Sequence, residues 1–167
     1  YRFHSRAAPN VLQIPMVASD VDPWSGSYGR LRMDGKAVYE FACAEVPAVV
    51  LEVLELANVS IDEVDHFVLH QANARIIDEV SCKLRVPLEK FASNVAKYGN
   101  TSAASIPLVL DEYVRANRIK SGEMVVFVGF GAGLQWGAAV LRWDNISQID
   151  AVPRSLLLSS SSDGLVV

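Results

Sequence analysis

Three features of this 167-residue sequence predict an α/β fold built on a mixed sheet covered by helices. Short runs of β-forming apolar residues alternate with segments whose apolar residues recur at helical spacing. The clearest run, Phe67-Val68-Leu69, ends at His70 and passes into a helix-period segment holding Ala74, Ile76, Ile77, Val80 and Leu84. The chain then closes on two adjacent strand patterns, residues 123–130 and 137–143, joined by a glycine-rich turn.

Taken in order, residues 1–32 carry one candidate strand, at 11–14, in otherwise irregular chain. Residues 20–29 are dense in turn formers and read as a surface loop. Asp34 is placed to cap a long helix reaching about residue 58. Its Val38, Phe41, Ala42, Val46, Val49, Val50, Val53 and Leu54 leave little of it polar, so it should be largely buried. Pro47 lies inside it and is expected to kink or split it. A short turn at 60–63 feeds the strand that ends at His70, and the helix after Asn73 should stop near Leu84, ahead of Pro87. Residues 91–95 are a further candidate strand. A helix rich in alanine starts at Ser102, tolerates Pro107 near its beginning and ends near Asn117. Ser121-Gly122 is a turn, and the tail from 145 to 167 has few packing residues and is expected to fray.

Composition narrows the function classes. Hydrophobic residues make up 51% and charged ones 20%, which is globular. The net charge of −4 argues against nucleic-acid binding through bulk electrostatics. No apolar run approaches the roughly 20 residues that span a bilayer, so no membrane role is expected. The first residues lack a secretory apolar core. Cys43 and Cys82 sit in helical patterns, and so few cysteines suit a reducing compartment. The chain opens at Tyr1 without an initiating methionine, straight into a loop containing Pro9, Pro15 and Pro23. It reads as the second part of something longer, with residues 1–144 as one folded unit.

The chemistry gathers at two junctions, His70-Gln71-Ala72-Asn73 and Tyr98-Gly99-Asn100-Thr101-Ser102. A histidine or asparagine at the mouth of a helix is how an α/β fold presents functional groups. His66 and His70 would suggest a metal pair on a helix, but on a strand they lie about 13 Å apart. That separation cannot share one zinc, and no metal is expected. Gly129, Gly131 and Gly133 do not meet the dinucleotide spacing, since Leu134 or Trp136 stands where the third glycine belongs. The run also leads into a strand rather than a helix. It suits close approach of backbone N–H groups to a ligand, or a plain hairpin. With no Ser or Cys partner and no Gly-x-Ser-x-Gly elbow, His70 and Asn100 point to hydrogen-bond donation and proton handling, the nucleophile lying elsewhere.

His70-Gln71-Ala72-Asn73, the stretch from Tyr98 to Ser105, and Gly129-Phe130-Gly131-Ala132-Gly133 followed by Trp136-Gly137 together resemble β-ketoacyl-acyl-carrier-protein synthase III. Asp34-Gly35-Lys36-Ala37-Val38-Tyr39 looks like the start of that family's first C-terminal-half helix, and the resemblance covers residues 24–143. It implies a thiolase-type fold of two similar halves, each a five-stranded mixed sheet with helices, of which this chain is the second. The family's nucleophilic cysteine belongs to the first half, and neither Cys43 nor Cys82 lies in a matching motif.

The resemblance also implies a reaction. The first-half cysteine takes an acyl group from a coenzyme A thioester, and a malonyl thioester on acyl carrier protein loses carbon dioxide. His70 and Asn100 would bind the enolate oxygen as neutral donors, each contributing on the order of 3–4 kcal/mol in a dry site. A backbone N–H of the glycine run, Gly133 or Gly131, would serve a second oxyanion hole. Asn73 would lie along the pantetheine tunnel, and Arg75 would dock the acidic carrier protein, unless it is simply a solvated helix charge. Lys83, Arg85 and Arg118 could extend a basic patch. No cofactor is implied; the partners are the first half, the carrier protein, the coenzyme A thioester and a second copy of the complete enzyme. The compartment is the cytoplasm, or the plastid stroma in a plant or alga. Two other readings are a non-catalytic partner that binds acyl chains or carrier protein, and an acyltransferase on the same fold without decarboxylation.

Half of a two-half fold exposes a partner-facing surface, so the chain alone is expected to be poorly soluble or to need a partner. Sedimentation of the isolated chain checks this. A well-behaved monomer with cooperative unfolding would count against the half-domain reading.

Overall fold

The computed structural model describes residues 1–8, 11–13, 16–17, 27–28 and 32–144. In chain order its strands are β1 (Arg2–Ser5), β2 (Leu12–Gln13), β3 (Met16–Val17), β4 (Ser27–Tyr28), β5 (Arg32–Met33), β6 (His66–Leu69), β7 (Met124–Gly131) and β8 (Gln135–Arg142). The helices are α1 (Gly35–Ala57), α2 (Ala74–Leu84), α3 (Val95–Tyr98) and α4 (Ser105–Arg115). One mixed sheet, ordered β1-β8-β7-β6, lies at the centre, with β6 parallel to β7 and the other pairs antiparallel. Strands β2 with β5 and β3 with β4 form two small pairs.

Strand β6 is buried on both faces, which is why it carries no clean polar alternation. Phe67 and Leu69 join the core beneath α1 and α2, while Val68 joins the opposite one with Val109 and Tyr113 of α4. This α/β layering of a mixed sheet between helices is the fold class expected from pattern.

Helix α1 begins where Asp34 Oδ1 accepts the Ala37 N–H at 3.0 Å and ends at Asn58 in the left-handed region. It packs against the sheet and α2, with Val46 and Val50 fully enclosed. Each such valine contributes about 1.5–3 kcal/mol of burial. Only a narrow stripe, including Glu40, Ala44, Ala48, Leu51 and Glu55, faces outward. The expected split at Pro47 does not occur: the helix runs unbroken through it. A proline cannot bond the carbonyl four residues back, which is that of Cys43. Lys83 of α2 supplies the missing donor, its Nζ bonding Cys43 O at 3.1 Å.

Helix α2 has the expected bounds: Asn73 Oδ1 caps it through the Arg75 N–H at 3.0 Å, and Arg85 closes it in the left-handed region. The segment at 91–95 differs from expectation, and with it the strand count, four where the resemblance implied five. Phe91 makes only an isolated parallel bridge to Phe67. The following backbone groups are taken by side chains instead of a ladder: Gln71 bonds Ala92 O and Asn94 N, and Tyr113 OH accepts from Ser93 N. The helix expected from Ser102 is a 3₁₀ turn at Ser102–Ala104 followed by α4, which ends at Arg115. Strand β1 was not foreseen; it pairs with β8, where Gly137 lets the backbone in (an added Cβ would meet Arg2 O at 2.7 Å). Of the expected strand at 11–14, β2 covers residues 12–13 and residue 14 lies outside the described residues; β4 lies within the expected loop at 20–29, whose remaining positions also fall outside them. The tail at 145–167 also lies outside them.

Lys83→Met is expected to destabilise the fold by about 1 kcal/mol, because it leaves a part-buried carbonyl without a donor. In a Pro47→Ala background, where the Ala N–H can serve that carbonyl, the same change should cost much less. Urea denaturation of the four proteins in the cycle measures the coupling, and strict additivity would show that Lys83 does not stand in for the helix bond.

Candidate active site

A cavity of about 840 Å³ opens where β6 ends, α2 and α4 begin and β7 runs into its turn. This is the carboxyl end of the parallel strand pair, the usual site of function in an open α/β sheet. His70, Asn73, Asn100, Ser105, Phe130 and Gly131 line it together. Among its described lining residues, Tyr39 is the only titratable group besides His70, and no Lys, Arg, Asp or Glu is present.

His70 follows β6 directly and stays in its ladder, the N–H bonding Val128 O at 2.8 Å. Ring atom Nδ1 lies 2.6 Å from Ser105 Oγ, and the Phe130 ring meets the imidazole edge-on at 5.0 Å. Nε2 has no hydrogen-bond partner among the described residues. Burial pushes the His70 pKa below the ordinary histidine value, so the ring is neutral at pH 7.

Asn100 is presented by a turn. Gly99 takes φ +68°, and Asn100 Oδ1 accepts the Ser102 N–H at 2.9 Å, with Ser102 itself left-handed at φ 55°. The amide oxygen is thereby committed, Nδ2 has no partner among the described residues, and Asn100 lines the same cavity as His70. The turn hangs from α3, and α3 is tied to α4 through Glu112. That carboxylate accepts from Asn94 Nδ2 at 2.7 Å, Lys97 Nζ at 3.1 Å and Tyr98 OH at 2.8 Å. These bonds, Asn94's foremost, hold the half-buried Glu112 below the usual carboxylate range.

The remaining expected residues divide. Gly131 lines the cavity, with open space where a side chain would stand, whereas Gly133 lies at the turn outside the lining. Gly133 takes φ +136°, and an added Cβ would meet Gln135 Cγ at 2.8 Å, so its glycine is required by the hairpin itself. Asn73 lines the cavity while its oxygen caps α2. Arg75 is exposed on the first turn of α2 and does not line the cavity. Of the basic residues nearby in sequence, Lys83 serves α1 and Arg118 stacks on the Tyr113 ring at 3.9 Å. His66 and His70 stand on and just beyond a strand, as expected, and His66 Nε2 pairs with Glu123 at 3.0 Å. Burial pushes the Cys43 thiol pKa up, which disfavours the thiolate a nucleophile needs. Sequence reading missed Ser105, Phe130 and Tyr39 as lining residues. For Ser105 the signal was its place at the end of the Gly99–Ser105 motif.

The chain was compared with known proteins. A family profile described as 3-Oxoacyl-[acyl-carrier-protein (ACP)] synthase III C terminal matches residues 54–143. The chain is 54% identical over 118 residues to Beta-ketoacyl-[acyl-carrier-protein] synthase III of Pyropia yezoensis, a match covering 71% of this chain and 36% of that protein. It is 51% identical over 125 residues to Beta-ketoacyl-[acyl-carrier-protein] synthase III B, chloroplastic, of Cuphea wrightii, covering 75% of this chain and 31% of that one. The crystal structure of 3-oxoacyl-(acyl carrier protein) synthase III from Pseudomonas aeruginosa PAO1 superposes with a TM-score of 0.78 at 38% identity, over 86% of this chain and 43% of that chain. The chain thus spans about a third to two fifths of the length of the relatives it matches.

Since the folded pKa of His70 is depressed relative to an unfolded chain, its contribution to stability is present above the ordinary histidine range. It is lost as pH falls through the lowered value. A ¹⁵N titration of the ring is expected to give a midpoint below about 6.5, and a midpoint at or above that value would contradict burial as the governing effect.

Proposed function

The chain belongs to the 3-oxoacyl-[acyl-carrier-protein (ACP)] synthase III C-terminal family, and from that premise we propose that it supplies the enolate-binding half of a condensing active site. The observation that carries this is that His70 and Asn100 line one cavity whose described lining residues include no Lys, Arg, Asp or Glu, each with one polar atom already bonded within the chain. His70 Nε2 and Asn100 Nδ2 then serve as the two neutral N–H donors.

The reaction fits those donors. A cysteine of a first half attacks an acyl-coenzyme A thioester and releases coenzyme A. A malonyl thioester on acyl carrier protein then breaks its bond to the carboxylate, and carbon dioxide leaves. The electron pair becomes an enolate whose charge sits on the thioester oxygen. Donors aimed at that oxygen stabilise it as it forms, and the lack of counter-charges among the described lining residues leaves them uncompensated. The enolate carbon attacks the acyl-cysteine carbonyl, and the thiolate departs from the tetrahedral intermediate. Gly131 and Gly133 are our candidates for the backbone N–H at that second oxyanion. The bond changes balance with the two thioesters and one proton from solvent, which returns the thiolate to the thiol, and no cofactor is needed.

The rest of the reading follows the family. Residues 1–144 act as the second half, joined to a cysteine-bearing first half in an enzyme that pairs with a second copy. Acyl carrier protein delivers the malonyl group, with Asn73 along the pantetheine path and exposed Arg75 facing the carrier. The product starts a fatty-acid or polyketide chain, in the cytoplasm or, as the name of the Cuphea wrightii relative suggests, a plastid. No helix of the described residues is long and apolar enough to cross a membrane.

The test separates two steps in enzyme assembled with a cysteine-bearing first half: labelled acyl transfer to protein, and labelled carbon dioxide from the malonyl thioester. Asn100→Ala should still accept the acyl group but lose decarboxylation by roughly 10²–10³-fold, the range for one oxyanion donor. His70→Ala should behave alike, and the double variant should fall short of the product of the two. Loss of acylation with decarboxylation intact would reverse the assigned roles. Acyl transfer with no carbon dioxide from the unmodified protein would favour the non-decarboxylating acyltransferase.

A further inference from the structure

Ser105 opens α4 with its side chain only 1% exposed. Two groups reach its oxygen: the Gln71 backbone N–H at 3.1 Å and His70 Nδ1 at 2.6 Å. A hydroxyl offers one proton and two lone pairs. The Gln71 N–H can only donate, so it occupies one lone pair and fixes part of the hydroxyl's orientation. The hydroxyl proton must then find an acceptor, and among the described residues His70 Nδ1 is the one within reach.

The alternative arrangement is poor. With a proton on Nδ1, two N–H donors would converge on the same oxygen, and the hydroxyl proton would be left without a partner in a buried place. Leaving a buried donor unmade costs more than a typical hydrogen bond gains. We infer that Ser105 is a positioning residue that donates to His70 Nδ1 and so holds the imidazole as the Nε2–H tautomer, with its one proton on the atom left free toward the cavity. Orientation and tautomer are thus set by different neighbours, Phe130 against the ring edge and Ser105 at its inner nitrogen. The same short segment, Gly99 to Ser105, therefore presents one donor directly and charges the other with its proton.

The effect of this device on turnover rests on the reading of His70 as an enolate donor; the tautomer does not. The test uses the enzyme assembled with a first half and labelled with ¹⁵N histidine. Long-range ¹H–¹⁵N spectra above the histidine titration range report which ring nitrogen carries the proton. The unmodified protein is expected to show Nε2 protonated and Nδ1 bare. Ser105→Ala should yield a mixture of tautomers and a decarboxylation rate roughly 3–10-fold lower, the loss of one neutral hydrogen bond. Ser105→Thr, which keeps the hydroxyl, should restore both. A protonated Nδ1 in the unmodified protein, or an unchanged tautomer in Ser105→Ala, overturns the inference. If Ser105→Ala does not fold, the spectrum of the unmodified protein decides by itself. An Nε2–H tautomer together with full decarboxylation in His70→Ala would instead sink the proposed function and leave the tautomer assignment standing.

Discussion

The side chain of Gln71 is wholly buried, and both donor hydrogens and the oxygen of its amide are bonded. Nε2 donates to Leu69 O at 2.8 Å and to Ala92 O at 3.2 Å, while Oε1 accepts the Asn94 N–H at 3.0 Å. A buried amide is tolerable only on those terms, since an unpartnered one costs about 1–3 kcal/mol. Its bonds run from the end of the strand that carries His70 to the segment that leads into α3 and so to Asn100. The two donor-bearing junctions are distant in sequence, yet they share one rigid bracket. Chemistry that needs two groups aimed at a single atom depends on such a bracket, because a misplacement of about 1 Å can cost 10²-fold in rate.

That bracket also explains where sequence reading succeeded and where it failed. The strand through Phe67-Val68-Leu69 and the helix to Leu84 were legible because their signals are local: an apolar run, a cap at Asn73 and a proline beyond the end. Residues 91–95 look like a strand for the same local reason, but after the Ala92 N–H bonds Phe67 O, the Ala92 carbonyl and the Ser93 and Asn94 N–H groups go to Gln71 and Tyr113, side chains that no window around Phe91 contains. Strand β1 was invisible because its partner, β8, lies at the far end of the chain. Pro47 is read by its local rule as a kink or a split; the split does not occur, and Lys83 from a neighbouring helix supplies the donor the proline lacks.

The candidate site divides in the same way. His70 and Asn100 were legible as residue types at junctions. An asparagine in such a place can serve a turn or a ligand, and the two roles use different atoms. Asn100 Oδ1 makes the turn, and that leaves Nδ2 for a ligand; Asn73 likewise spends its oxygen on α2. Ser105 stayed hidden among the small residues at the start of a helix. Its partner is 35 positions away, and only folding reveals it.

The sheet ends bluntly on both sides. At one edge, among the described residues, the single bridge at Phe91 is all that continues beyond β6. At the other, β1 is four residues long and carries Arg2 and His4, both paired to Glu52 of α1. Short, charged edge strands make poor templates for another strand. At the β1 edge, lengthening of the hydrogen-bonded ladder is therefore disfavoured. The residues that tie β1 to α1 also guard that edge against growth by strand addition, the route toward fibres and uncontrolled assembly.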